Sequence, residues 1–235
     1  MSYIQVNNLW KQFGQTPVLE RINADIDQGA FVTLVGTSGC GKSTFLNLLL
    51  GIAQPTRGSI SLEGHQLRAE PDGERGIVFQ RYSVFPHLNV RQNILIALEF
   101  SASRFLARLF GQAREQALAR VHEIIERVGL SHAAKRYPHE LSGGMRQRLA
   151  IAQALIARPK VLLLDEPFGA LDPGIRKDMH KLVKELWQQE KLADIFPNRK
   201  DVAVIIEKHG AMRASRLFVE RLVLGELCDA CFDIF

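Results

Sequence analysis

The stretch Gly36-Thr37-Ser38-Gly39-Cys40-Gly41-Lys42-Ser43-Thr44 lies between an apolar run, Phe31 to Val35, and a helical run, Phe45 to Leu50. Glycines at this spacing let successive backbone N–H groups turn toward one anion, and the following helix offers its positive N-terminal end to the same point. Lys42 then reaches the β- and γ-phosphates of a nucleotide, and the Ser43 hydroxyl sits on Mg²⁺. A ligand-free glycine turn matches the same pattern by chance in unrelated chains; the strand before and the helix after argue against that reading. The loop specifies nucleotide binding without specifying a reaction.

Two other stretches carry matching chemistry. Val161-Leu162-Leu163-Leu164 is a continuous apolar run of the kind buried on both faces of a parallel sheet, and it ends in Asp165-Glu166. Asp165 is placed to hold Mg²⁺, directly or through water, and Glu166 to polarise the water that attacks a γ-phosphate. Solvated acids at an ordinary strand end are the alternative, and it loses weight once the phosphate loop is present. Leu141-Ser142-Gly143-Gly144-Met145-Arg146-Gln147-Arg148 opens a helix over Met145–Ala157. A hydroxyl, two glycines and a helix N-terminus make either a second anion site or a helix cap with no ligand.

The elements that must position these residues follow from periodicity. Ile4 and Val6, then Ile22, Ala24 and Ile26, alternate with polar residues and read as an antiparallel patch ahead of the loop. Gly58–Leu62 and Gly76–Gln80 read as two further strands, with Gln80 at the end of the second. From about 86 to 157 the pattern is helical: Leu118, Val121, Ile124, Ile125 and Val128 recur at helical spacing, and Gly129 supplies the stop. Phe100–Phe110, with Arg104 and Arg108 among apolar residues, reads either as a basic amphipathic helix for a membrane or partner, or as an ordinary half-buried helix. A helix from Ile175 to Leu186 and an apolar strand, Val202–Ile206, follow. The expected fold is α/β: one domain over 1–235, with 1–85 and 158–235 forming the nucleotide-binding core and its β patch, and 86–157 an inserted helical subdomain.

Composition narrows the class. At 235 residues and 46% apolar content, the chain is long enough to bury a sizeable core, and no run of 18 apolar residues suggests a membrane span. The first residues lack the pattern of a signal peptide, so a cytoplasmic location is expected. Three cysteines, one of them inside the loop, make no disulfide framework, and Cys228-Asp229-Ala230-Cys231 reads as two incidental thiols. A net charge of +5 spread along the chain is a mild bias, consistent with a soluble domain that has a basic face.

Taken together, Gly36–Thr44, Gln80, Leu141–Arg148, Leu164–Pro167 and Gly169-Ala170-Leu171-Asp172 occur in an order that closely resembles the ABC-type ATPases, over residues 1 to about 190. The resemblance implies a P-loop NTPase core, ATP and Mg²⁺ as ligands, and a nucleotide sandwiched between two subunits, most simply a homodimer. It implies that Phe13 stacks on adenine, that Gln80 senses Mg²⁺ and the attacking water, and that Ser142, Gly143 and Gly144 contact the γ-phosphate of the opposite subunit. Asp172 is implied to communicate between the two sites. The stretch Gln80–Val90 resembles the region that meets a membrane permease in bacterial importers, which carries with it a peripheral location on the cytoplasmic membrane face and an indirect link to a periplasmic solute-binding protein. The wording of the signature and of Asp165–Asp172 is most similar to the nitrate, sulfonate and taurine importers, with a urea- or amide-linked relative also in view.

The chain departs from the family at Met145, where glutamine is usual, and more seriously beyond Leu192. The family places a histidine within Thr-His-Asp to contact the γ-phosphate; here Glu207-Lys208-His209-Gly210 follows the last strand, so His209 stands at the expected place without either neighbour. Two alternatives stay open: a soluble ABC ATPase acting on nucleic acid or ribosomes, and an ATP-binding subunit that hydrolyses poorly.

Overall fold

The structure is a computed structural model that describes residues 2–37, 39–79, 84–102, 109–165, 167–169, 171–188, 203–209 and 218–222. Its elements run β1 (Ile4–Phe13), β2 (Thr16–Ile26), β3 (Phe31–Gly36), α1 (Lys42–Leu50), β4 (Arg57–Leu62), β5 (His65–Gln66), β6 (Arg75–Val78), α2 (Val90–Ala102), α3 (Gly111–Arg127), α4 (Gly143–Ile156), β7 (Val161–Leu164), α5 (Pro173–Gln188), β8 (Ala203–His209) and β9 (Phe218–Leu222). They divide into two compact units. One holds Met1–Ile77, Lys160–Glu166 and Asn198–Phe235; the other holds Val78–Pro159 and Pro167–Pro197.

In the first unit, β1 and β2 form a hairpin closed by Gly14-Gln15, and a four-stranded sheet is ordered β2-β1-β4-β5. The expected alternation in β1 holds for Ile4 and Val6 and then slips. The register shifts between Val6 and Leu9, where Asn8 takes a left-handed conformation (φ 47°), so Leu9 is buried with Val6 although it stands an odd number of positions further on. Gly58 of β4 has to pass this bulge: a Cβ there would come within 2.2 Å of the Asn8 carbonyl oxygen. The five-stranded sheet is ordered β6-β7-β8-β3-β9, with β8 parallel to both β3 and β7 and β9 antiparallel to β3. All four residues of β7 are buried, as an apolar run in a parallel sheet requires. The core of this unit packs Ile4, Val6, Leu9 and Leu19 with Phe45, Leu46, Leu49, Ile60 and Leu163.

A buried arginine ties the loops of this unit together. Arg75 donates from Nε and Nη2 to the two Asp72 carboxylate oxygens (3.1 and 2.9 Å), and through its guanidinium to the carbonyls of Leu49, Arg68 and Glu70. It thereby joins the end of α1 to the chain ahead of β6. Arg75→Ala strands these acceptors, several of them buried, together with the half-buried Asp72 carboxylate, and is expected to cost about 3 kcal/mol. That corresponds to a drop of roughly 6–12 °C in Tm for a chain of this size, read by thermal unfolding; a drop below about 2 °C would show that water replaces the guanidinium. Lys160, just before β7, bonds Glu63 (2.8 Å) and Glu74 (2.9 Å), and these two carboxylates raise its pKa.

The second unit is helical. In α3, Val121, Ile124 and Ile125 are buried, and Gly129 (φ 70°) ends the helix by donating to the Glu126 carbonyl, as the sequence predicts. Most of the helix expected over Phe100–Phe110 lies outside the described residues. The helix α2 is described to Ala102, residues 103–108 lie outside the described residues, and Phe110 is extended and precedes α3. No helix among the described residues is long and apolar enough to cross a membrane.

Candidate functional site

The phosphate loop leaves the carboxyl end of β3 and runs straight into α1. Gly41 stands at the helix N-cap with φ 102°, and a Cβ there would lie 2.6 Å from Leu19 Cδ2, so only glycine fits both the conformation and the space. Neither an acidic residue in the first turn nor a side-chain cap offsets the positive N-terminal end of α1, which therefore favours an anion. Lys42 is 3% exposed. Its ammonium donates to the carbonyls of Gly36 (3.1 Å) and Thr37 (3.0 Å), with Cys40 Sγ at 4.0 Å. The loop therefore wraps around the lysine head, and Cys40 fills the space beside Gly36, where a Cβ would meet Sγ at 2.4 Å. Gly39 is left-handed (φ 79°), and Thr44 lies half-buried in the first turn. Ser38 lies outside the described residues.

The parallel sheet brings the acidic partner to this loop. Because β3 and β7 run the same way on either side of β8, their carboxyl ends emerge together. Ser43 Oγ donates to Asp165 Oδ1 at 3.4 Å across 122 residues of sequence. A hydroxyl and a carboxylate at the same point form a hard-oxygen pair suited to Mg²⁺. His209 closes β8 in direct register with Gly36. The strand thus runs three residues beyond its expected end at Ile206, and its last residue lies beside the start of the phosphate loop. Glu166 and Gln80 lie outside the described residues.

Phe13 ends β1 with its ring 56% exposed and the Lys11 ammonium 4.9 Å from its centroid. In the second unit, Ser142 caps α4: its hydroxyl accepts from the Met145 N–H at 3.3 Å. Gly143 follows half-buried. Gly144 has a packing reason the sequence does not reveal, since a Cβ there would lie 2.7 Å from Ile175 Cγ2 in α5. Asp172 is exposed just ahead of α5, where its carbonyl accepts from the Arg176 N–H (2.8 Å).

Sequence reasoning missed Asn93. It is fully buried, and its amide nitrogen donates to the carbonyls of Phe85 (3.0 Å), Leu88 (2.7 Å) and Asn89 (3.2 Å) while its oxygen accepts from the Phe85 N–H (2.8 Å). Gln153 of α4 donates to the same oxygen (3.2 Å) and to the Asn93 carbonyl (2.9 Å). The loop carrying Phe85 and His87 is thereby held against α2 and α4. The available signal was a lone amide inside the apolar run Asn93–Leu98, behind an Asn89/Gln92 capping box whose two reciprocal bonds are both present (3.0 and 2.9 Å). Phe85 and Phe100 remain exposed, with ring centroids 6.5 Å apart.

Comparison with known proteins identifies the family. A family model described as "ABC transporter" matches residues 19–169. The bicarbonate transport ATP-binding protein CmpC of Synechococcus elongatus is 44% identical over 209 residues, 87% of this chain and 29% of its own length. The nitrate import ATP-binding protein NrtC of the same organism is 47% identical over 176 residues, 75% of this chain and 26% of its own length. The taurine import ATP-binding protein TauB of Escherichia coli O157:H7 is 43% identical over 186 residues, 79% of this chain and 69% of its own length. The chain thus spans less than a third of the first two relatives. Among solved structures, CbiO1 of Clostridium perfringens, part of the ABC transporter complex CbiONQ, is 28% identical with a TM-score of 0.71, covering 89% of this chain and 79% of that one. The dimeric bacterial ABC transporter cassette MJ0796 is 29% identical with a TM-score of 0.68, covering 86% and 87%. With the phosphate loop, the Ser142–Gly144 turn and Asp165 all inside the matched residues, the chain belongs to the ABC transporter family.

Proposed function

We propose that this chain is the ATP-binding and ATP-hydrolysing subunit of an importer, energising uptake of a small solute through a separate permease. The observation that carries the reading is the convergence of Lys42, Ser43 and Asp165 at the carboxyl end of the parallel strands. The N–H groups at the start of α1 and the Lys42 ammonium bind the phosphates of ATP, and the exposed Phe13 ring takes the adenine. Ser43 and Asp165 are the residues that would hold Mg²⁺, with Gln80 beside it, and the ion supplies charge neutralisation on the phosphate oxygens. Glu166 takes the proton of the attacking water. His209, in register with Gly36, is the γ-phosphate contact of this chain. The other half of the site is the Ser142-Gly143-Gly144 turn of a second copy, with Asp172 linking the two sites; the dimeric form of a similar cassette supports this arrangement.

The exposed aromatics around Phe85, held by Asn93, form the permease docking face together with the rest of Gln80–Val90. Peripheral attachment to the membrane and an indirect link to a solute-binding protein follow from that docking. The relatives named for bicarbonate, nitrate and taurine support a small anionic or zwitterionic solute of the nitrate, sulfonate or taurine type, with a urea- or amide-related solute as the alternative. Co-expression with candidate permease subunits tests this reading. Co-purification and permease-dependent ATP hydrolysis are expected, whereas RNA-dependent hydrolysis without any membrane partner would overturn it in favour of a soluble ABC ATPase. Glu207-Lys208, standing where a threonine and its strand neighbour precede the histidine in the family, favours one second reading, a subunit that binds ATP and hydrolyses it slowly. Its mark would be a low turnover that His209→Ala leaves unchanged.

A further inference from the structure

We infer that Lys11 is a positioning residue for the nucleotide base: it seals one face of the Phe13 ring and sets the ring plane, so that adenine is received on the opposite face. The inference rests on the reading of Phe13 as the adenine platform, and adds to it a residue in the layer beneath. Three observations meet here. The Lys11 ammonium sits over the Phe13 ring, 4.9 Å from its centroid. The same ammonium donates to the carbonyl of Gln54 at 2.7 Å, in the loop that follows α1. The ring is nevertheless 56% exposed, and with a cation over one face the open area belongs to the other face and the edge.

The physical consequence concerns order. Phe13 is the last residue of β1, at the mouth of the tight turn Gly14-Gln15, and more than half of it is exposed. The cation attracts the ring's electron-rich face, and its bond to Gln54 anchors the cation to the backbone beyond α1, the helix that begins at the phosphate loop. Base and phosphate subsites then share one frame, because the platform is pinned to the loop that leaves the helix whose N-terminus receives the phosphates. A pre-set platform binds the base with less ordering cost than a freely rotating ring. Stacking is tolerant of base identity, so ATP and GTP should respond alike.

A double-mutant cycle on the full chain tests this, with ATP affinity measured by calorimetry and turnover measured alongside. Phe13→Ala should weaken ATP binding by about tenfold or more. Lys11→Met, which keeps the stem and removes the charge, should weaken it by roughly two- to fivefold, and Lys11→Arg should restore it. The effect should fall on KM with kcat unchanged, since the contact is the same in ground and transition states. In a Phe13→Ala background, Lys11→Met should have no further effect. Equal effects of Lys11→Met in both backgrounds would overturn the inference, because the lysine would then act on the nucleotide or the fold directly. If Phe13→Ala weakens binding and Lys11→Met does not, the inference fails alone; if Phe13→Ala leaves affinity unchanged, the platform reading falls and the inference with it. Thermal unfolding of the nucleotide-free variants separates these outcomes from simple loss of fold.

Discussion

Lys42→Ala is expected to lower ATP turnover at least 1,000-fold, about 4 kcal/mol of transition-state stabilisation. The loop curls around this one ammonium, which is buried and held by the Gly36 and Thr37 carbonyls at the mouth of the parallel sheet. In that position its charge is poorly screened by water, and in the proposed role it faces the point where phosphate charge accumulates during transfer. Alanine removes the charge and leaves two carbonyls that water can satisfy, so the fold should survive with Tm changed by a few degrees. Phosphate release and thermal unfolding, measured together, check the prediction; turnover within tenfold of the parent would mean that the phosphates bind elsewhere. Lys42→Arg should fail nearly as completely, since the planar guanidinium cannot reproduce the compact ammonium held by the Gly36 and Thr37 carbonyls.

Glu166→Gln is expected to separate binding from chemistry. The amide keeps the size of the side chain and loses the group that accepts the proton from water, so turnover should fall 100- to 1,000-fold while ATP affinity stays within about threefold. If the nucleotide is shared by two copies, ATP should then accumulate the dimer, because hydrolysis normally releases it. Size-exclusion chromatography with and without ATP reads this directly. Wild-type turnover in the variant would remove Glu166 from the role of base, and a monomer in saturating ATP would remove the second copy from the site.

The fold and site were legible in the sequence to unequal degrees, and the reasons are physical. The phosphate loop, the buried run of β7 and the stop at Gly129 were readable because each depends on neighbours within a few residues: a left-handed glycine, a two-faced apolar strand, a helix terminus. The N-cap at Ser142 was readable for the same reason, and the structure supplies its bond to Met145. The slip in β1 was not, because a bulge at Asn8 is chosen by its partner strands and by Gly58, far along the chain. Arg75 and Asn93 were also missed. An arginine or an asparagine in sequence looks solvated, and only the carbonyls gathered around it reveal a buried anchor.

By itself the sequence determined which backbone segments can close on phosphate, since glycine conformation and helix polarity are local properties of Gly36–Thr44. Tertiary structure decided which distant residues complete the site. The insertion of β8 between β3 and β7 puts Ser43 within hydrogen-bond reach of Asp165 and sets His209 beside Gly36. Strand order follows from long-range pairing in a parallel sheet, whose hydrogen bonds join segments that no local pattern relates.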